Sequence, residues 1–193
     1  GPGVNIHRTP FSGRNFEYYS EDGYLSGIMA AYLTKGMQSK GVFPFIKHFA
    51  LNDQETDRNG VTTWATEQTM REIYLKAFQL AIDVNSTELF EDENYVGHRG
   101  ALGIMSSFNR IGTTWAGASY PLLTNVLRNE WGFKGIVVTD WYNGGYMDQE
   151  QMVRAGNDLS LGNDVGTEGG KNITAAYKKY GDQMLTATLL TAL

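Results

Sequence analysis

Five short, nearly continuous apolar runs alternate with segments of helical periodicity, and this alternation constrains the fold of the chain more than any other feature. The clearest run, at residues 135–139, places Ile136, Val137 and Val138 side by side between a glycine and a threonine. Strands without polar alternation are typical of parallel sheets, because helices cover both faces of such a sheet. The pattern therefore predicts the α/β class.

Strands are predicted at residues 3–6, 42–47, 101–107, 135–139 and 158–161. Helices are predicted from about residue 22 and at residues 64–84, 120–131, 147–155 and 173–193. Ser20 and Asp22 are suited to cap the first helix. Its inward face is predicted from the helical spacing of its large apolar residues, which are Leu25, Ile28, Met29, Tyr32 and Leu33.

Two architectures share this element order, a (β/α)8 barrel and a doubly wound open sheet. The chain lacks the glycine-rich phosphate loops that usually accompany a nucleotide-binding open sheet, which favours the barrel. Eight βα units need about 250 residues, whereas this chain has 193 residues and about five units. We therefore expect the later part of a TIM-type barrel, incomplete as given, in residues 1–161. A loop and a C-terminal helical segment are expected in residues 162–193.

The composition is that of a globular protein and limits the partners of the chain. A net charge of -5 without a Lys/Arg cluster argues against nucleic acid or an anionic membrane and favours a neutral ligand. With no cysteine, a disulfide, a thiolate nucleophile and a zinc–thiolate site are excluded. We expect no metal and no cofactor. No apolar run is long enough to cross a membrane and no targeting peptide is visible, which leaves both a cytoplasmic and a secreted protein open.

Polar and aromatic side chains gather directly after the predicted strands, where barrel enzymes carry their active sites. They are His7, Arg8, Arg14, Lys47, His48, Ser107, Phe108, Asn109, Asp140 and Trp141. Charged groups form the stronger hydrogen bonds and an aromatic ring stacks on the face of a sugar, so the set indicates a pocket for a polyhydroxylated ligand. From its position alone, Asp140 could also be a turn former or a helix N-cap.

Five motifs carry a more specific signal because they occur in a fixed order: NIHRTPFSGRNFEYYSED, KHFALNDQETDRNG, REIYLKAF, GIMSSFNRIG and GFKGIVVTDW. Over residues 3–161 the chain thereby resembles the barrel domain of glycoside hydrolase family 3, which contains β-glucosidases and related exo-acting enzymes. The resemblance implies a retaining exo-β-glycosidase, with a β-glucosidase as the first expectation.

The same resemblance implies roles for single residues. Asp140 matches the catalytic nucleophile, which ends the strand of the VVTDW motif. Arg14, Lys47 and His48 match residues that bind the hydroxyls of the non-reducing sugar, and Trp141 matches a wall on the aglycone side. Phe108 is included in the substrate-binding set, although many family members have a tyrosine there.

The resemblance also names what this sequence lacks. The barrel segment with the family's sugar-binding aspartate and the second domain with its glutamate acid/base are both absent. The expected partners are therefore a β-glucoside or oligosaccharide, the missing barrel strands and the acid/base domain. Five strands cannot close an eight-stranded barrel, so self-association through the open edge at residues 3–6 is a further expectation.

The chemistry of a retaining glycosidase agrees with this assignment. It needs an ionised carboxylate below the anomeric carbon and a protonated acid about 5 to 5.5 Å away, and Asp140 can supply only the carboxylate. Lys47 is expected to keep the pKa of Asp140 low.

Alternatives stay open. His48 could be a hydrogen-bonded core residue, Lys47 could extend to solvent, Trp141 could be simple packing, and Glu17 could bind ligand or an arginine. The whole chain could be an inactive sugar-binding or structural fragment. A Schiff-base aldolase acting through Lys47 is a third class of function.

Overall fold

The computed structural model describes residues 1–83, 100–141 and 145–162, together with residues 175, 178 and 179. Of the predicted C-terminal helix at residues 173–193, only these last three residues are described, and they are helical. The rest of that helix and most of the predicted loop before it lie outside the described residues.

A parallel sheet forms the centre of the fold, with the strand order β1-β3-β6-β7. The strands are β1 (Phe45–Phe49), β3 (Gly103–Ser106), β6 (Ile136–Trp141) and β7 (Leu159–Leu161). The predicted strand at residues 3–6 adds a parallel bridge from Gly3 to Lys47 at the outer side of β1. Neighbouring strands thus follow one another in chain order, as in a (β/α)8 barrel, and the predicted α/β class is confirmed.

Helix α1 (Gly23–Gln38) begins at the predicted cap, because a side-chain oxygen of Asp22 accepts hydrogen bonds from the N–H groups of Tyr24 and Leu25. Its predicted inward face is wrong. Leu25, Met29, Tyr32 and Leu33 are 43–50% exposed, whereas Ser26, Gly27, Ala30, Ala31 and Thr34 are buried.

The physical reason is the close approach of α3 (Lys76–Ile82), the helix that α1 packs against. A Cβ on Gly27 would lie 2.8 Å from the side chain of Leu80 and 3.1 Å from the Cα of Ala77. The contact between the two helices therefore requires small residues, which a search for large apolar side chains does not find.

The two other central helical segments lie where the sequence predicts helices, but each contains π-helical turns. The first consists of α2 (Glu67–Thr69), a π-helix (Met70–Tyr74) and α3, and the second is a π-helix (Pro121–Glu130). Arg71 of the first donates to both carboxylate oxygens of Glu130 of the second, at 2.7 and 3.0 Å. Helix α4 (Gln149–Ala155) precedes β7 and is capped by Asp148.

A small second sheet was not predicted from the sequence. It consists of β2 (Thr62–Thr63), β4 (Arg110–Ile111) and β5 (Thr114–Trp115). Two-residue strands carry too little pattern to be recognised locally. Because β4 follows β3 after only three residues, this sheet fixes the chain around Phe108 and Asn109.

The main core lies between the parallel sheet and the helices. Its largest fully buried side chains include Ile46, Phe49, Ile104, Phe78, Leu123 and Leu127. The rings of Phe49 and Phe78 meet edge to face with their centroids 5.0 Å apart. Within the described residues, no helix is long and apolar enough to cross a membrane, and no three His, Asp or Glu side chains form a potential metal site.

Candidate active site

Asp140 lies near the carboxyl end of β6, with its side chain only 15% exposed. Its Oδ1 accepts a hydrogen bond of 2.7 Å from the backbone N–H of Trp141. Its Oδ2 is buried, has no hydrogen-bond partner among the residues that the structure describes, and lies 3.5 Å from Nε2 of His48. The next helix is capped by Asp148 and not by Asp140, so the N-cap alternative does not apply. A buried carboxylate oxygen without a partner is costly unless a ligand or water engages it.

The pKa of Asp140 is raised above its ordinary value, and burial is the main cause. The N–H of Trp141 and the positive charges of Arg58, Arg14 and Lys47 act in the opposite direction. The expectation that Lys47 keeps this pKa low is therefore wrong for the net effect. Burial outweighs the cations, and Arg58 and Arg14 contribute more than Lys47 does.

His48 is 2% exposed and held from several sides. Its backbone N–H donates to Oδ1 of Asn5 at 2.7 Å, and Nδ2 of Asn5 donates to its carbonyl at 3.1 Å. The hydroxyl of Tyr18 lies 3.2 Å from Nδ1. Burial lowers the pKa of His48 to about 2, with the charges of Arg14 and Lys47 adding to the effect, so the imidazole is neutral. His48 is thus a hydrogen-bonded core residue and a neighbour of Asp140 at once.

Arg14 and Lys47 are held together by one carboxylate. Glu17 forms an ion pair with Nζ of Lys47 at 3.1 Å and a hydrogen-bonded pair with Nε of Arg14. Burial by itself raises the pKa of Glu17, but the hydrogen bonds from Arg14 and Lys47 outweigh it, and the pKa is lowered. The structure thus shows the ion-pairing alternative for Glu17, with a lysine as well as an arginine. Lys47 does not extend freely to solvent, since its side chain is 21% exposed.

Phe108 and Arg58 form a stacked pair on another side of the site. Phe108 is 2% exposed, and the guanidinium carbon of Arg58 lies 4.7 Å from the centre of its ring. Arg58 is also tied to Oε1 of Glu55 at 3.2 Å. The ring of Phe108 is therefore covered by the guanidinium of Arg58 and packs against this cation.

Trp141 follows Asp140 directly and is 47% exposed, so it is not part of the buried core. The structure places Arg8 elsewhere. Its guanidinium donates a hydrogen bond to the hydroxyl of Tyr74 and lies 5.3 Å from the centre of that ring. Of the cations predicted at strand ends, Arg14 and Lys47 belong to the Asp140 site, whereas Arg8 turns to a neighbouring cavity.

This geometry can be compared with known proteins. Residues 1–167 match the model of the glycosyl hydrolase family 3 N-terminal domain. The chain belongs to glycosyl hydrolase family 3.

Relatives of this family 3 chain include a β-glucosidase of Ruminococcus albus, 40% identical over 184 residues, which cover 91% of this chain and 18% of the relative. An exo-alpha-(1->6)-L-arabinopyranosidase of Bifidobacterium longum is 44% identical over 161 residues, which cover 83% of this chain and 19% of the relative. The structure of β-glucosidase 3B from Thermotoga neapolitana in complex with glucose superposes with a TM-score of 0.82 at 39% identity. That match covers 97% of this chain and 25% of the other. The family 3 chain therefore spans about a fifth to a quarter of the proteins it resembles.

Three residues around the candidate site at Asp140 are not among those predicted from the sequence: Arg58, Tyr18 and Asn5. Arg58 lies within the KHFALNDQETDRNG motif, ten residues beyond His48, and no local pattern distinguishes it from a solvated loop arginine. Only its stacking on Phe108 and its effect on the pKa of Asp140 reveal it.

Proposed function

We propose that this chain is the nucleophile-bearing part of a retaining exo-β-glycosidase, in the first place a β-glucosidase. The observation that carries the proposal is the position of the Asp140 carboxylate and the groups around it. One of its oxygens is buried at the carboxyl end of a barrel-type strand and has no hydrogen-bond partner in the described part of the chain, and the cations with the largest effect on its pKa are Arg58, Arg14 and Lys47. A nucleophile that must form and release a covalent bond needs such a free oxygen.

In this reaction Oδ2 of Asp140 attacks the anomeric carbon as the bond from that carbon to the leaving oxygen breaks. The leaving oxygen takes a proton from a general acid, and a covalent glycosyl-enzyme results. Water then attacks the same carbon and gives a proton to the conjugate base of that general acid, the bond to Asp140 breaks, and the sugar leaves with its original configuration. Arg14, Lys47 and Arg58 would bind sugar hydroxyls through charge-assisted hydrogen bonds, and Trp141 would cover the aglycone side.

His48 would act on the nucleophile. Nδ1 lies beside the Tyr18 hydroxyl, so when Tyr18 donates to it the imidazole proton sits on Nε2, which faces Asp140. A neutral imidazole with its N–H on this side orients the carboxylate without neutralising it.

The general acid is not assigned to a described residue of this chain. Glu17 is unsuitable because its pKa is lowered by Arg14 and Lys47. This observation favours a second candidate function, in which residues 1–193 alone bind the sugar but turn over only substrates with good leaving groups. The β-glucosidase relatives, of which this chain spans 18% in the case of Ruminococcus albus, support the larger enzyme as the active form.

A 2-deoxy-2-fluoro β-glucoside with an activated leaving group tests the assignment. In the full-length protein it should label Asp140 covalently, as mass spectrometry of the digested protein would show, because the fluorine slows release of the glycosyl-enzyme. Asp140→Asn should take up no label and lose activity by on the order of 10⁴-fold or more. Label on a different carboxylate would overturn the assignment of Asp140.

A further inference from the structure

A cavity of about 530 Å³ lies beside the Asp140 site and is not part of it. It opens between the loop after residues 3–6 and the loop after β1. Its lining includes Arg8, Phe11, Asp53, Thr63, Trp64 and Tyr74. None of Arg14, Lys47, His48 and Asp140 lines it. The roles proposed above leave this cavity without an occupant.

The inner wall carries an acid and a base that are not paired with each other. Oδ1 of Asp53 accepts a hydrogen bond of 3.2 Å from the backbone N–H of Ile6, and within the described ranges Asp53 forms no ion pair. Arg8 instead donates to the hydroxyl of Tyr74 and stacks over its ring. Burial raises the pKa of Asp53 to about 7, against the weaker opposing effects of the Ile6 N–H and Arg8. The wall therefore places a hydrogen-bond donor, Arg8, beside an acceptor, Asp53, which suits the hydroxyl groups of a polar ligand.

Two exposed aromatic side chains lie at the rim of the cavity. Trp64 is 75% exposed and Phe11 is 88% exposed. Both line the cavity with their rings available to a ligand. A pyranose combines apolar C–H faces with hydroxyl edges, so it matches an aromatic rim above a polar wall.

The cavity shares a wall with the Asp140 site. The backbone N–H of Glu55 donates to the carbonyl of Ser12 at 3.0 Å, and this contact joins the two loops that form the cavity. On its other side Glu55 contacts Arg14 and Arg58. A ligand in the cavity thus lies next to the residues that surround the nucleophile.

We propose that this cavity is a second carbohydrate subsite, which binds a neutral pyranoside unit between the Trp64 and Phe11 rings and the Asp53 and Arg8 side chains. It goes beyond the proposed function, because it assigns a binding site that the glycosidase reaction itself does not require. The ligand stacks on the rim rings and exchanges hydrogen bonds with the wall.

Tryptophan fluorescence separates the two sites. In Trp141→Phe the tryptophan beside a sugar site is Trp64, and in Trp64→Phe it is Trp141, while Trp115 and Trp131 stay as constant background. Cellobiose should cause a saturable change in the fluorescence of Trp141→Phe. Adding Asp53→Asn to that protein should weaken binding by about tenfold, because the amide changes the hydrogen bonds that this wall offers to the sugar hydroxyls.

Phe11→Ala in the Trp141→Phe protein gives a second measurement, because Phe11 is almost fully exposed and its loss leaves the core unchanged. It too should weaken binding several-fold. If cellobiose changes the fluorescence of Trp64→Phe but not that of Trp141→Phe, the cavity proposal is overturned while the proposed function stands. If cellobiose instead changes the fluorescence of Trp141→Phe but not that of Trp64→Phe, the result supports the cavity and counts against a sugar site at Asp140. A response of Trp141→Phe to free glutamate in place of cellobiose would also overturn the neutral-sugar assignment.

Discussion

Nε2 of His48 lies 3.5 Å from Oδ2 of Asp140, and the histidine that makes this approach is 2% exposed. The candidate nucleophile therefore borders a residue that is fixed by the core through Asn5 and Tyr18. Because a buried histidine with a pKa of about 2 stays neutral, its effect on Asp140 is one of orientation and not of charge.

Removal of the Tyr18 hydroxyl tests this orientation. In Tyr18→Phe the proton of His48 is no longer fixed on Nε2, and we expect kcat of the full-length enzyme to fall by roughly tenfold with little change in KM. The pH dependence of kcat should shift as well, which a purely structural role would not produce. Tyr24→Phe, at an exposed tyrosine of α1, is the matched control. Equal activity of both variants would contradict the role of Tyr18.

Lys47→Ala and His48→Ala should each raise the barrier for hydrolysis by roughly 2 to 4 kcal/mol, because each removes a polar group from a desolvated pocket. The loss should appear in kcat/KM with the circular-dichroism spectrum unchanged. Lys40→Ala, at an exposed lysine beyond α1, serves as the control for loss of a positive charge. Unfolding of the Lys47 and His48 variants would instead show that both residues are structural.

Asp53 should make stability depend on pH. Its pKa is raised to about 7 in the folded chain, against about 3.9 when unfolded. Between these values the folded state holds the extra proton, so this contribution to stability is complete below about pH 4 and is lost as the pH rises through about 7. Urea unfolding measures the free energy of unfolding of the original chain and of Asp53→Asn. The difference between the two should become smaller or change sign as the pH rises from about 4 to about 7. A difference that does not vary with pH would rule out the raised pKa.

The outer face of α1 should promote self-association of the isolated chain. Leu25, Met29 and Leu33 are each more than 40% exposed on one helix, and apolar patches of this kind bind other surfaces. Light scattering should find a concentration-dependent increase in mass, which Met29→Lys combined with Leu33→Lys should reduce. Tyr120→Lys changes an equally exposed residue on a different helix and should leave the association unchanged. A monomer at all concentrations would refute this prediction.

Local pattern was enough for the strands of the parallel sheet and for the position of the candidate nucleophile. The run Ile136-Val137-Val138 indicates a strand buried on both faces, and its order relative to the other runs indicates the parallel sheet that is observed. Since the carboxyl ends of parallel strands meet at one edge, Lys47, His48 and Asp140 could be grouped before the fold was known. The cap at Asp22 was predictable for the same reason, because all of its partners lie within three residues.

Contacts between distant residues decided the rest. The buried face of α1 depends on how closely Leu80 approaches Gly27, and the sequence of α1 alone contains no information on that distance. Arg58 joins the site only because the loop that carries it folds over Phe108, 50 residues further along the chain. The raised pKa of Asp140 and the neutral state of His48 follow from burial, and burial is set by everything that packs around a group and not by its neighbours in sequence.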